Sequence, residues 1–164
     1  MNIQVVMMKQ DDPKKCSAAK LVKFGLAKPV KRTTSRTLVL DPFSKKILLK
    51  SDKKLASSVT GIDCSWNLAT TAFKNTFSGI PRKLPPLLAG NPVNYSKLNK
   101  LTTVEALAAA AYILGDSDMA TTLLDKFKWG HTFLALNKNI LQEYSEAKSE
   151  SEIIEICQEY RLFV

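Results

Sequence analysis

The chain has 164 residues, 45% of them apolar, and a formal net charge of +9. That length gives one domain or two small lobes with enough buried surface to fold without staples, and the apolar content excludes wholesale disorder. Three widely spaced cysteines, Cys16, Cys64 and Cys157, and a single histidine, His131, argue against a structural zinc site, and no apolar run approaches the ~18 residues of a membrane span.

In chain order, Ile3–Met8 is a short apolar, β-branched run that reads as a buried strand. Asp11-Asp-Pro-Lys-Lys-Cys-Ser17 is a turn with helix-start chemistry. Ser17 can cap a helix through Lys20, Leu21 and Phe24 that Gly25 stops. Thr37–Leu40 and Ile47–Lys50 flank Asp41-Pro-Phe-Ser44 and read as a hairpin. Val59–Asp63 is a further strand, and residues 67–81 read as a helix and loop ending at Gly79-Ile-Pro81. Arg82–Ala89 is extended, and its prolines keep it out of a central strand.

The turn-forming loop Gly90-Asn-Pro-Val-Asn-Tyr95 then feeds Leu101-Thr-Thr-Val-Glu-Ala-Leu107, where Thr102-x-x-Glu105 is a capping box. The helix it starts is almost without a polar face and ends at Gly115. Ser117–Phe127 reads as a second helix with Gly130 after it, and Thr132–Ala147 as a third. Ser149-x-x-Glu152 opens a last helix, from Glu152 to about Tyr160. A soft boundary near residues 75–80 separates a strand-rich half from a helical half, which suggests a basic lobe over 1–75 and a second domain over 76–164.

The charge follows that division. Residues 1–60 hold 14 Lys and Arg against 4 Asp, whereas residues 141–164 hold 2 basic and 6 acidic groups. A basic half suits a polyanion, with RNA ahead of DNA and anionic membrane; the alternative is a solvated Lys-rich face. An odd cysteine count without a leader-like segment points to a reducing cytoplasm.

Asp63 is the sharpest single residue. A carboxylate ending an apolar strand beside Trp66 suits a general base or a hydroxyl acceptor; the plainer reading is a turn cap. Cys64 reads as a packed small residue, or as a nucleophile with His131 as its base. His131 otherwise reads as a structural residue at a helix start. Neither GxGxxG nor GxxxxGK[ST] occurs, which disfavours a dinucleotide fold and a P-loop. Lys15, Lys20 and Arg82 are candidate phosphate contacts.

Six segments together resemble one family: Asp12-Pro-Lys-Lys-Cys-Ser17 with Lys20, Gly61-Ile-Asp-Cys-Ser-Trp66, Arg82-Lys-Leu-Pro85, Asn91-Pro-Val-Asn-Tyr95, Leu101-Thr-Thr-Val-Glu-Ala-Leu107 and Lys126-Phe-Lys-Trp-Gly-His131. The chain is similar, over about residues 5–147, to archaeal-type ribosome biogenesis aminocarboxypropyltransferases acting on small-subunit ribosomal RNA. It departs from them at Tyr95-Ser-Lys-Leu-Asn-Lys100, which lacks the Gly, Pro and Trp common there.

The resemblance implies an α/β fold with an N-terminal β-rich basic lobe and a C-terminal SPOUT-like domain that is knotted and has a helical end. It implies S-adenosylmethionine as cofactor and transfer of its 3-amino-3-carboxypropyl group to a (1-methyl)pseudouridine. Ser17 and Thr103 would meet the amino-acid end of the cofactor, and the Ile62 backbone its ribose. Leu40, Pro42 and Trp66 would enclose the adenine, while Trp66 and Ala69 would bury the methyl group. Leu84, Leu87, Asn99 and Leu101 would complete the pocket, and Asp63 would take the ring proton. Lys15, Lys20 and Arg82 would meet RNA, with no metal involved. The partner would be small-subunit RNA or a pre-ribosomal particle, met by a cytoplasmic monomer. An RNA methyltransferase on the same fold and a non-catalytic assembly factor are the rival readings.

Overall fold

The computed structural model describes residues 1–8, 16–64, 68–74 and 77–162, less the side chains of 72–74. Among these, five strands form one sheet in the order β2-β1-β4-β3-β5. They are β1 (Asn2–Met7), β2 (Lys28–Pro29), β3 (Thr37–Leu40), β4 (Ser58–Asp63) and β5 (Ile80–Arg82). Every pairing is parallel. Such strands are covered on both faces, which is why all four residues of β3 and the first four of β4 are buried. β5 lies at an edge, where Pro81 can forgo a ladder bond, and it comes from beyond residue 75.

The expected hairpin is not formed. The turn at Asp41 exists, since its Oδ1 accepts from the Phe43 N–H at 2.8 Å and its carbonyl from the Ser44 N–H at 3.1 Å. The chain beyond it does not fold back on β3. Ile47 makes a parallel bridge with Lys83, and Lys50–Leu55 is a 3₁₀ helix. β3 finds its partners in β4 and β5, and the Asp41 N–H bonds the Arg82 carbonyl at 2.9 Å. Ile80 and Pro81, expected at the end of a loop, lie within the β5 strand, and Gly79 precedes it.

The helices are α1 (Ser17–Lys23), α2 (Ala69–Lys74), α3 (Thr103–Ile113), α4 (Ser117–Leu124), α5 (Gly130–Glu146) and α6 (Glu150–Glu159). Helix α3 is the core: eight of its eleven residues are buried, and it packs on β4, α1, α4 and α5. Gly61 allows this approach, because a Cβ there would stand 3.2 Å from Thr103 Cγ2 and 3.3 Å from Leu107. Gly130 opens α5 rather than ending α4, and a Cβ on it would collide with the Leu124 carbonyl. The cap of α1 is Cys16, not Ser17, with the thiol accepting from the Ala19 N–H at 3.4 Å.

Candidate active site

Parallel strands put all their carboxyl ends on one edge. From β1 the chain turns to β2 on one side, and from β4 it goes on to β5 on the other. The crevice between β1 and β4 is therefore a topological switch point, where open α/β sheets bind ligands. Asp63 ends β4 there, in register with Met7 of β1, and its carbonyl accepts from the Met8 N–H at 3.0 Å.

The half-buried Asp63 side chain joins three elements. Its Oδ1 accepts from the Thr103 hydroxyl at the start of α3 at 2.9 Å. Its Oδ2 accepts from the Cys16 thiol at the start of α1, also at 2.9 Å. Burial first, and then the bond to Asp63, push the Cys16 thiol from its ordinary 9.0 up to about 11. Cys16 thus stays a protonated donor at neutral pH and is no nucleophile. Both donors to Asp63 are neutral, so they fix its orientation without cancelling its charge. A carboxylate held this way can accept a proton from a substrate placed in the crevice.

The start of α3 is built from two further side chains. The buried Ser17 hydroxyl accepts from the Val104 N–H at 3.2 Å, so α1 caps α3. Glu105 is fully buried, and its carboxylate accepts five hydrogen bonds. They come from the N–H groups of Gly90 (2.7 Å), Asn91 (3.0 Å) and Thr102 (2.7 Å), the Asn91 amide (2.9 Å) and the Thr102 hydroxyl (2.9 Å). The capping box is present as expected, and the same carboxylate also clamps the loop at 90–91 to α3. Gly90 permits that clamp: a Cβ there would lie 2.5 Å from the Phe133 nitrogen.

Asp63 and Thr103 are in direct contact, and Ser17 reaches the same helix start through the Val104 N–H. Leu40, paired with Gly61, and Ile62 lie beside them at the sheet edge. Pro42 is exposed just beyond β3, and Ala69 is buried at the start of α2. Leu87 is buried and tied to Asn99: its N–H donates to Asn99 Oδ1 at 3.2 Å, and its carbonyl accepts from the Asn99 N–H at 2.8 Å. Asn99 adopts φ 60°, a left-handed conformation that Asn tolerates. Leu84 packs partly buried against the core, and Leu101 is buried just before the cap. Trp66 and Lys15 lie outside the described residues.

Among the basic candidates, Lys20 is exposed, with its ammonium 5.5 Å from the centre of the Phe127 ring. Arg82 is placed differently. Its Nε and Nη2 grip the Asp52 carboxylate at 3.1 and 3.0 Å, and its side chain is only 11% exposed. His131 is exposed on α5, and among the described residues no three His, Cys, Asp or Glu side chains cluster to hold a metal ion. The role of Cys16 was not legible in the sequence, where it counted only as one of three separated thiols; its partner is 47 residues away.

Residues 38–161 match the family described as ribosome biogenesis protein, C-terminal. A 16S rRNA aminocarboxypropyltransferase from Methanococcoides burtonii is 42% identical, covering 97% of this chain and 94% of its own. That of Sulfurisphaera tokodaii is 41% identical, covering 97% and 95%. The solved structure of the SAM-dependent rRNA:acp-transferase Tsr3 from Vulcanisaeta distributa superposes with a TM-score of 0.88 at 34% identity, covering 98% of this chain and 89% of that one. Residues 1–34 also match a possible Fer4-like domain in RNase L inhibitor. That segment holds one cysteine, Cys16, and no histidine, so it does not offer the ligands of an iron–sulfur cluster.

Proposed function

The chain belongs to the ribosome biogenesis protein family, among its 16S rRNA aminocarboxypropyltransferases, and on that premise we propose how its site performs the transfer. It is an S-adenosylmethionine-dependent enzyme that moves the 3-amino-3-carboxypropyl group to small-subunit ribosomal RNA. The acceptor we infer is a ring nitrogen of a (1-methyl)pseudouridine.

The observation that carries the mechanism is the Asp63 carboxylate, pinned by Cys16 and Thr103 at the switch point. The residues suit the cofactor: the Ser17 and Thr103 hydroxyls, and apolar side chains at Leu40, Ala69 and Leu101. When bound, S-adenosylmethionine would supply a sulfonium with an electrophilic propyl carbon for the ring nitrogen and methylthioadenosine as the leaving group. Asp63 receives the proton that the ring nitrogen gives up. Ser17 and Thr103 hold the amino-acid end, and the Ile62 backbone the ribose. By the family resemblance, Leu40, Pro42 and Trp66 would flank the adenine, and Trp66 with Ala69 would cover the methyl group. Leu84 and the Asn99–Thr103 segment close the pocket. The choice of group is then made by position, with no nucleophile on the protein.

The finer architecture belongs to the same proposal. The fold is a knotted SPOUT-like one, and the site is shared between the basic N-terminal half, which carries most of the sheet, and the helical half. The enzyme acts as a cytoplasmic monomer on the RNA or a pre-ribosomal particle. No described helix is long and apolar enough to cross a membrane. Lys15 and Lys20 meet phosphates; Arg82, gripped by Asp52, serves the RNA chiefly by holding the β5 end in place.

The test is incubation with small-subunit RNA that carries the (1-methyl)pseudouridine but lacks the carboxypropyl group, and with S-adenosylmethionine labelled in turn on the carboxypropyl and methyl carbons. Carboxypropyl label in the RNA is expected. Methyl label alone would make the enzyme a methyltransferase, and neither label would leave a binding factor.

A further inference from the structure

Helix α1 begins at Asp63 through Cys16 and runs ~12 Å, at 1.5 Å per residue, to Phe24. At that far end it meets the turn between α4 and α5. Lys20 and Phe24, one helical turn apart, interleave with that turn: the Lys20 ammonium sits over the Phe127 ring, and the Lys126 ammonium lies 5.3 Å from the centre of the Phe24 ring. Phe127 in turn stacks obliquely on Trp129, with centroids 5.3 Å apart. Phe127 is buried and anchors the joint, whereas Phe24 is 50% exposed. Residues 16–28 and 125–131 together carry five lysines and one acid, Asp125.

Phe24 is left half exposed with the Lys126 ammonium over its ring, among lysines of two separate elements. Alternating cations and rings are what single-stranded nucleic acid requires: lysines for phosphates, and an aromatic face on which a base can stack. Neither an acidic peptide nor a membrane headgroup would need the ring to lie in register with the cations. We propose that this joint is a stacking platform for the RNA next to the modified nucleotide. An unpaired base lies on Phe24, while Lys20, Lys126 and Lys128 hold the adjoining phosphates. The platform extends the substrate site along α1 and into the helical half, and it rests on RNA being the substrate.

The test uses the full chain with single-stranded small-subunit RNA containing the target loop, titrated over a range of salt. F24A is expected to weaken binding about 5- to 100-fold with an unchanged salt slope, because stacking releases no counterions. F24W should restore the affinity. K126A/K128A should instead lower the salt slope by about 1–2. S-adenosylmethionine affinity and thermal midpoint, followed in each variant, identify any misfolding, and the second variant then carries the test alone. Equal RNA affinity for F24A and the parent, with the parent still transferring label, overturns the platform and leaves the transfer reading intact. An equal loss toward polyphosphate, which has no bases, also overturns it. A parent that binds no RNA and transfers no label overturns both.

Discussion

Two carboxylates bond to the start of α3, Glu105 from within the helix and Asp63 from the end of β4, and they differ in burial and in their donors. Glu105 is fully buried and accepts five hydrogen bonds, three of them from backbone N–H groups of two separate segments. Asp63 is half-buried, accepts two from side chains, and faces the edge where five parallel strands end. A carboxylate surrounded by donors is stabilised as an anion and has no lone pair left for a substrate. A carboxylate steadied by two neutral donors keeps that capacity. The same residue chemistry thus builds the fold in one place and serves catalysis in the other, and the difference lies in the number of donors and the access of ligand.

The largest expected effect is at Asp63. D63A should lower the transfer rate by about 10²–10⁴-fold, the usual contribution of a general base, with little change in thermal midpoint. E105A should do the reverse. Leaving the donors of Gly90, Asn91 and Thr102 unpaired in the core costs about 2–4 kcal/mol, and the thermal midpoint should fall by roughly 5–12 °C. A stable E105A protein would put the two carboxylates in the same class.

T103V is a finer probe. Valine keeps the methyl group that faces Gly61 and removes the hydroxyl that donates to Asp63. The rate should fall about tenfold, in line with one hydrogen bond to a charged group, with the S-adenosylmethionine affinity measured alongside.

The smallest expected effect is in the pH dependence of stability. The Cys16 thiol titrates at about 11 in the folded protein and near 9.0 when exposed. Its contribution is therefore complete below pH 9 and is lost as pH rises toward about 11. Denaturant midpoints of the parent should decline over that window, and those of C16A should decline less.

How much of this is legible in the sequence depends on reach. The capping box at Thr102 and Glu105 is readable because its partners lie three residues apart. The clamp from the same Glu105 to Gly90 and Asn91 is not, because loop closure sets it rather than periodicity. Asp63 stands out as a carboxylate after an apolar strand, yet its steadying partners Cys16 and Thr103 are 47 and 40 residues away. The hairpin after β3 misleads for the same reason. The Asx turn at Asp41 is real, but the strand it was expected to pair is displaced by Ile80–Arg82, 40 residues on. Ser17 and Cys16 exchange roles because each side chain answers to a distant partner: the hydroxyl to Val104, the thiol to Asp63. The motif residues of the family mark which positions matter; the tertiary bonds show why.

The most direct measurement is a single-turnover assay with small-subunit RNA that carries the (1-methyl)pseudouridine but lacks the carboxypropyl group, and with carboxypropyl-labelled S-adenosylmethionine, comparing the parent with D63N at saturating cofactor. Asparagine keeps the size of the side chain and cannot take the proton. The expected result is parental cofactor affinity and a rate at least ~100-fold lower. Equal rates for D63N and the parent would contradict the assignment of Asp63 as the base.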